Sequence, residues 1–186
     1  MDRVRGDRSR RARRYWLMGW VAAAVVVATF VTITLRVFVW PDLRPLPDRV
    51  DAIIELAGPN DDGRDQVALD LARQYRAPLL IQSTLPDDTH CLPPPPGVTV
   101  ECFHPDPDTT RGEARHIGQL AGQRHWTSVI LVTTIDQAWR ADLRVGRCFS
   151  GRIYNGTADL PTRMWVRQIP YQWIATAKAL TFERAC

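Results

Sequence analysis

A run of twenty-one residues without a charge, Tyr15 to Leu35, follows directly on an arginine cluster and constrains this chain more than any other feature. The hydrocarbon core of a bilayer is about 30 Å thick and takes about 20 apolar residues to cross as a helix. Length therefore predicts a membrane-spanning helix over residues 15–38, with a basic tail at 1–14, a linker at 39–49 and a globular domain at 50–186. Arg3, Arg5, Arg8, Arg10, Arg11, Arg13 and Arg14 precede the apolar run, and a single Arg36 directly follows it. This bias orients the amino terminus toward the cytoplasm and the domain away from it, and Trp16, Trp20 and Trp40 suit interfacial positions. A cleaved export signal is the competing reading. It would have an apolar core of about 7–15 residues and small residues at the cut, whereas the exit here is Arg36-Val37-Phe38-Val39-Trp40-Pro41. Arg13-Arg14-Tyr15-Trp16-Leu17 loosely resembles a twin-arginine signal, a route that would leave the domain on the same side.

The formal charge of +4 belongs to the tail. Residues 1–14 hold seven arginines and two aspartates, a surplus of +5, so the rest of the chain totals −1. Nucleic-acid binding needs a concentrated basic footprint, and here that footprint is accounted for by topology, so no nucleic-acid partner is expected. The lipid bilayer is the expected partner of the apolar helix. The residues beyond it suffice for one domain with a proper core.

Cys91, Cys102, Cys148 and Cys186 all lie downstream of the apolar run, in a compartment where disulfides persist. Four cysteines allow three pairings. Cys91 with Cys102 closes a short loop around four consecutive prolines, Pro93 to Pro96, and Cys148 with Cys186 pins the far end of the chain; this pairing is favoured. The alternative is a metal site from His90, Cys91, Cys102 and His104, although the cysteine spacing usual for zinc is absent.

Val50 to Ala57 is a short apolar run closed by Gly58-Pro59-Asn60-Asp61-Asp62-Gly63 and reads as a buried strand entering a turn. Val67, Ala68, Leu71, Ala72 and Tyr75 then recur at helical spacing between Arg64 and Arg76. Strands follow at 78–83 and 98–103. Thr110 and Glu113 have capping-box spacing at the head of a helix over 111–124, with Ala114, Ile117, Leu120 and Ala121 facing inward. The uninterrupted apolar run 129–134 predicts an inner strand of a parallel sheet. A helix at 136–147, a weak strand at 151–155 and a helix at 164–184, interrupted or started at Pro170, complete the chain. Alternating strands and helices with right-handed crossovers build a three-layer α/β sandwich.

Ligands of such sheets bind beyond the carboxyl ends of the strands. Those ends fall at Gly58 to Asn60, Ser83-Thr84, the 106–110 segment and Thr134 to Asp136. Arg64, Arg111 and Arg140 open helices on the same rim, where helix amino termini already favour anions, so an anionic or phosphorylated ligand is expected. The competing reading has these arginines paired with Asp61, Asp62 and Asp136. No Gly-x-Gly-x-x-Gly, Walker loop or Gly-x-Ser-x-Gly elbow is present, and Lys178 is the only lysine, so no nucleotide cofactor is expected. Ser83 lacks a histidine placed as its base and reads as structural. Asn155-Gly156-Thr157 fits a glycosylation sequon.

The order of these blocks resembles a known family. Asp51-Ala52-Ile53-Ile54-Glu55-Leu56-Ala57-Gly58 with Arg64 opening a helix, then Ala77-Pro78-Leu79-Leu80-Ile81-Gln82-Ser83, resembles the start of the YdcF/SanA/ElyC family. Thr109-Thr110-Arg111-Gly112-Glu113-Ala114, Ile130-Leu131-Val132-Thr133-Thr134 and Arg140-Ala141 are similar to its later blocks. The resemblance covers about residues 50–155 and implies a Rossmann-like three-layer α/β/α sandwich with a mainly parallel sheet, anchored in the membrane and tied to peptidoglycan or lipid-carrier homeostasis. It implies pocket residues Gly58, Asn60, Arg64, Ser83, Thr109, Glu113, Thr134 and Arg140. The chain departs from the pattern at Glu55, at Ala57, after Ser83-Thr84, and at Gln137 and Ala138, where a histidine is common.

Two functions follow as expectations. In one, the rim grips an anionic envelope metabolite or a lipid-carrier phosphate, with Glu113 as acid or base and Arg64, Arg111 and Arg140 as a charge clamp. In the other, the domain is a non-catalytic scaffold that assists envelope proteins.

Overall fold

The computed structural model describes residues 2–58, 62–74, 76–85 and 91–186, with residues 2–12 as backbone alone. The chain divides into two compact units, residues 1–36 and 37–186. Helix α1 (Asp2–Thr34) lies in the first, and the π-helical turn that follows it, Leu35–Val39, crosses into the second. Residues Arg13–Val39 are long and apolar enough to cross a membrane. Trp16 and Trp20 meet edge to face on α1, with ring centroids 5.6 Å apart.

The second unit is the α/β sandwich that the alternating pattern predicts. Strands β1 (Ala52–Glu55), β2 (Leu79–Ser83), β3 (Thr99–Phe103), β4 (Ser128–Thr134) and β5 (Arg152–Ala158) form one sheet in the order β3-β2-β1-β4-β5. Every neighbouring pair is parallel. Helices α2 (Arg64–Arg73), α3 (Thr110–Arg124), α4 (Ala138–Val145) and α5 (Trp165–Thr181) complete the unit. Side chains alternate across a strand, and β1 shows the result. Ala52, Ile54 and Leu56 join the core under α3 and α4, with Ile117, Ala121, Leu131 and Val145. Ile53 faces the opposite core, with Ala68, Leu71 and Ala72 of α2.

No helix covers the crossover from β2 to β3 among the described residues. Leu92 packs against the α2-side core instead, and its amide donates to Gln82 Oε1 at 2.8 Å. The two favoured disulfides are present, Cys91–Cys102 and Cys148–Cys186, with sequence separations of 11 and 38. The cysteine sulfurs are thus bonded to one another and are not metal ligands; His90, of the alternative set, lies outside the described residues. By loop length alone, such crosslinks contribute about 3 and about 4 kcal/mol.

Three local expectations need correction. The segment that reads as a weak strand at 151–155 is a seven-residue strand paired with β4 along its whole length. Asn155 is buried and its Nδ2 donates to Asp142 Oδ1 at 2.8 Å. Gly156 accommodates Leu71, whose Cδ1 would lie 2.7 Å from an added Cβ. The glycosylation sequon is therefore buried inside a sheet. Pro170 lies within α5 and neither starts nor breaks it; its ring sits on the exposed side of the helix, where water can satisfy the carbonyl its missing N–H leaves free.

The capping box is the third. Thr109, not Thr110, caps α3, its Oγ1 accepting from the Gly112 amide at 3.3 Å. The helix therefore begins one residue earlier than the spacing implies, and Glu113 falls one position past where it could reach back to the cap. Its carboxylate turns toward the end of β1 instead, which is how the fold populates its site.

Candidate functional site

Strand order reverses between β1 and β4, so the crevice of this sheet lies beyond Glu55 and Thr134. A cleft of about 820 Å³ opens there. Its floor is the end of β1, at Ala57 and Gly58, and one wall is the start of α3, at Thr109 and Arg111. The opposite wall is α5 with the turn before it, which brings Arg163, Arg167, Tyr171, Ile174 and Lys178.

Among the described residues six cations line the cleft, Arg111, Arg140, Arg144, Arg163, Arg167 and Lys178, against three acids, Asp108, Glu113 and Glu183. Glu183 is already engaged, with Arg144 in a short ion pair and with Lys178 Nζ at 3.0 Å. The Arg111 Nε is buried without a hydrogen-bond partner among the described residues. The described lining therefore has an excess of positive charge, next to the amino-terminal end of α3, which favours anions.

Arg140 is the best-positioned of these cations. It is 5% exposed, and each nitrogen of its fork has a partner. Nε donates to Gln172 Oε1 at 3.0 Å, Nη1 to Thr110 Oγ1 at 2.9 Å and Nη2 to Gln137 Oε1 at 3.2 Å. Gln172 is fully buried and passes the arrangement on, its Nε2 donating to Asp136 Oδ2 at 2.8 Å. Tyr171 lies 5.9 Å from the guanidinium carbon, within cation–π range. Burial lowers the Arg140 pKa, but guanidinium remains charged in proteins.

Glu113 faces this cation from the sheet side. Its Oε1 accepts from the Ala57 amide at 2.6 Å. Burial raises its pKa, opposed by the Ala57 amide, the Ser83 hydroxyl and the charges of Arg64 and Arg140. A carboxyl held in this way can keep its proton further toward neutral pH and act as an acid.

The structure separates the three arginines expected on the rim. Arg111 and Arg140 line the cleft; Arg64 does not. Arg64 is 2% exposed, its Nε donates to Asp62 Oδ1 at 2.8 Å and its Nη1 to the Leu56 carbonyl at 2.5 Å. Gly58 makes this possible, since a Cβ there would stand 1.8 Å from Arg64 Nη2. Glu55 lies on the same inner side, and its pKa is pushed up to about 9 by burial and then by the carboxylates of Asp65 and Asp62, with the charge of Arg64 opposing.

Ser83 and Thr134 are buried at their strand ends; the Ser83 hydroxyl is turned to Glu113, and that of Thr134 has no hydrogen-bond partner among the described residues. Ser83 faces a narrow gap with Arg64 and Gln82, and Thr134 lines neither space. Asn60 lies outside the described residues. Sequence reasoning missed the α5 wall, whose signal was Arg163, Arg167 and Lys178 beside Tyr171 in one amphipathic segment. No family model, curated protein or solved structure matches this chain.

Proposed function

We propose that this is a membrane-anchored domain that binds a phosphorylated or otherwise anionic ligand in the cleft between α3 and α5. The excess of cations around a cleft of about 820 Å³ carries the reading, since sites for small molecules span about 300–1,000 Å³ and fix their ligands with a few convergent polar groups. Arg140, fixed by Gln172, Thr110 and Gln137, is suited to orient two anionic oxygens through its planar fork. Arg111 and Arg167 supply further charge. Glu113 holds the proton that a ligand oxygen or leaving group would take.

Two disulfides suit an oxidising compartment, and the arginine tail before the span favours an extracytoplasmic domain. The resemblance to the YdcF/SanA/ElyC family points the same way, toward an envelope metabolite or a lipid-carrier phosphate. Gln137 and Ala138, where that family commonly carries a histidine, favour a binding role over a hydrolytic one, with a scaffold for envelope proteins as the second reading.

The test is a titration of the full chain in nanodiscs with pyrophosphate and with soluble phosphorylated lipid analogues, read by calorimetry. Saturable binding that Arg111→Gln weakens about tenfold, the worth of roughly one charged hydrogen bond, is the expected result. Absence of binding by all of these probes would shift the reading to the scaffold.

A further inference from the structure

The outer face of α5 is apolar where a helix facing water would be polar. Val166, Pro170 and Ile174 follow one another at four-residue spacing and form a single ridge. Val166 is 86% exposed and Ile174 71%, and Phe182, just past the helix, is 88%. The positions that bury this helix, Gln172, Thr176 and Ala179, lie on its other side.

What flanks the ridge identifies its occupant. On one side Trp173 meets Phe38 edge to face, with ring centroids 5.4 Å apart. Phe38 is fully buried and belongs to the last turn of the apolar stretch 13–39. The last turn of that apolar stretch, which belongs to the second unit, therefore packs against α5. Trp40, two residues on and 67% exposed, is of the type that settles at the membrane interface. On the other side of the ridge Arg167 and Lys178 form the lip of the cleft. Around the circumference of α5 the order is Phe38 contact, apolar ridge, cationic lip.

We propose that α5 is an interfacial helix, lying on an anionic bilayer surface with Val166, Ile174 and Phe182 at the boundary of headgroups and acyl chains. Helices with one apolar and one basic face bind membranes through buried apolar area together with attraction to anionic lipid. The ridge supplies the first and Arg167 and Lys178 the second. Docking in this way opens the cleft beside the headgroups. The inference rests on α5 and its link to Phe38, and it stands whether or not the cleft binds a free phosphate.

Lipid photolabelling of the full chain tests it. The protein is reconstituted in phosphatidylcholine vesicles with and without phosphatidylglycerol, doped with a lipid that carries a diazirine near its glycerol, and adducts are mapped by peptide mass spectrometry. Adducts on the α5 peptides several-fold above those on α2 are expected with phosphatidylglycerol present. Val166→Glu with Ile174→Glu should remove them while leaving those on α1 intact. Arg167→Gln with Lys178→Gln should reduce them only in anionic vesicles. Labelling of α5 no higher than α2, or unchanged in the glutamate variant, overturns the proposal. Equal labelling in both vesicle types overturns the requirement for an anionic surface.

Discussion

Arg64, behind the end of β1, is 2% exposed and tied to Asp62 and the Leu56 carbonyl, whereas Arg167, on the outer side of α5, is exposed and borders the cleft. The same side chain thus serves two regions a few residues apart in the site. Inside, a guanidinium has already exchanged water for fixed partners, and the fold depends on that exchange being complete. Outside, exposed Arg167 keeps its water and can give it up to an incoming anion. Stability should therefore be concentrated on the inner side of Gly58 and affinity on the outer.

Replacing Arg64 with alanine should break this division most visibly. It leaves Asp62, itself buried, without its ion pair, and removing one partner of a buried pair costs about 3–5 kcal/mol. Chemical unfolding of the full chain in detergent measures it, and a loss below about 1 kcal/mol would mean the inner set is not structural. Glu55 gives the next largest effect. Its folded-state pKa, about 9, lies above its ordinary 4.5, so the fold favours the neutral acid. Stability tied to this group is complete below about pH 4.5 and is lost as pH rises toward 9. At pH 7 the loss is on the order of 3 kcal/mol. Glu55→Gln should therefore raise stability at pH 7 and flatten the profile between pH 5 and 9, as read by unfolding midpoints across that range.

Gln172→Ala probes the link between the regions. It strips partners from Arg140 and Asp136 at once and should cost about 1–3 kcal/mol, with weaker ligand binding because Arg140 is no longer aligned. Arg167→Gln should do the least to the fold, within about 0.5 kcal/mol, while lowering affinity about tenfold if it makes one charged contact. A variant of Arg167 that destabilised as much as one of Arg64 would erase the distinction.

Much of the fold was legible because it is written in local pattern. The uncharged run 15–35 and the apolar runs of β1 and β4 each reflect a local pattern of neighbouring residues. The disulfides followed from the short loop one pair encloses and the chain end the other ties down. What escaped depended on distant partners. The strand at 151–155 reads as weak until Asp142 is beside Asn155 and Leu71 beside Gly156. Glu113 reads as a cap until the Ala57 amide is in reach. Arg64 and Arg140 look equivalent as helix openers, and only Gly58 on one side and Gln172 on the other distinguish them. The α5 wall could not be placed at all, because its position depends on Gln172 and Arg147 meeting groups far away in sequence.

The bridge between Cys148 and Cys186 gives that wall a dependence on its surroundings. Arg147 already holds the end of α5 by donating to the Ala179 and Glu183 carbonyls, at 2.9 and 2.6 Å, and the covalent bond makes the attachment lasting where an oxidant can form it. A copy stranded in a reducing compartment would have the same strands and the same arginines behind a less firmly fastened wall. Formation of the bridge would then double as maturation, with the cleft reaching its finished form only where an oxidant is present.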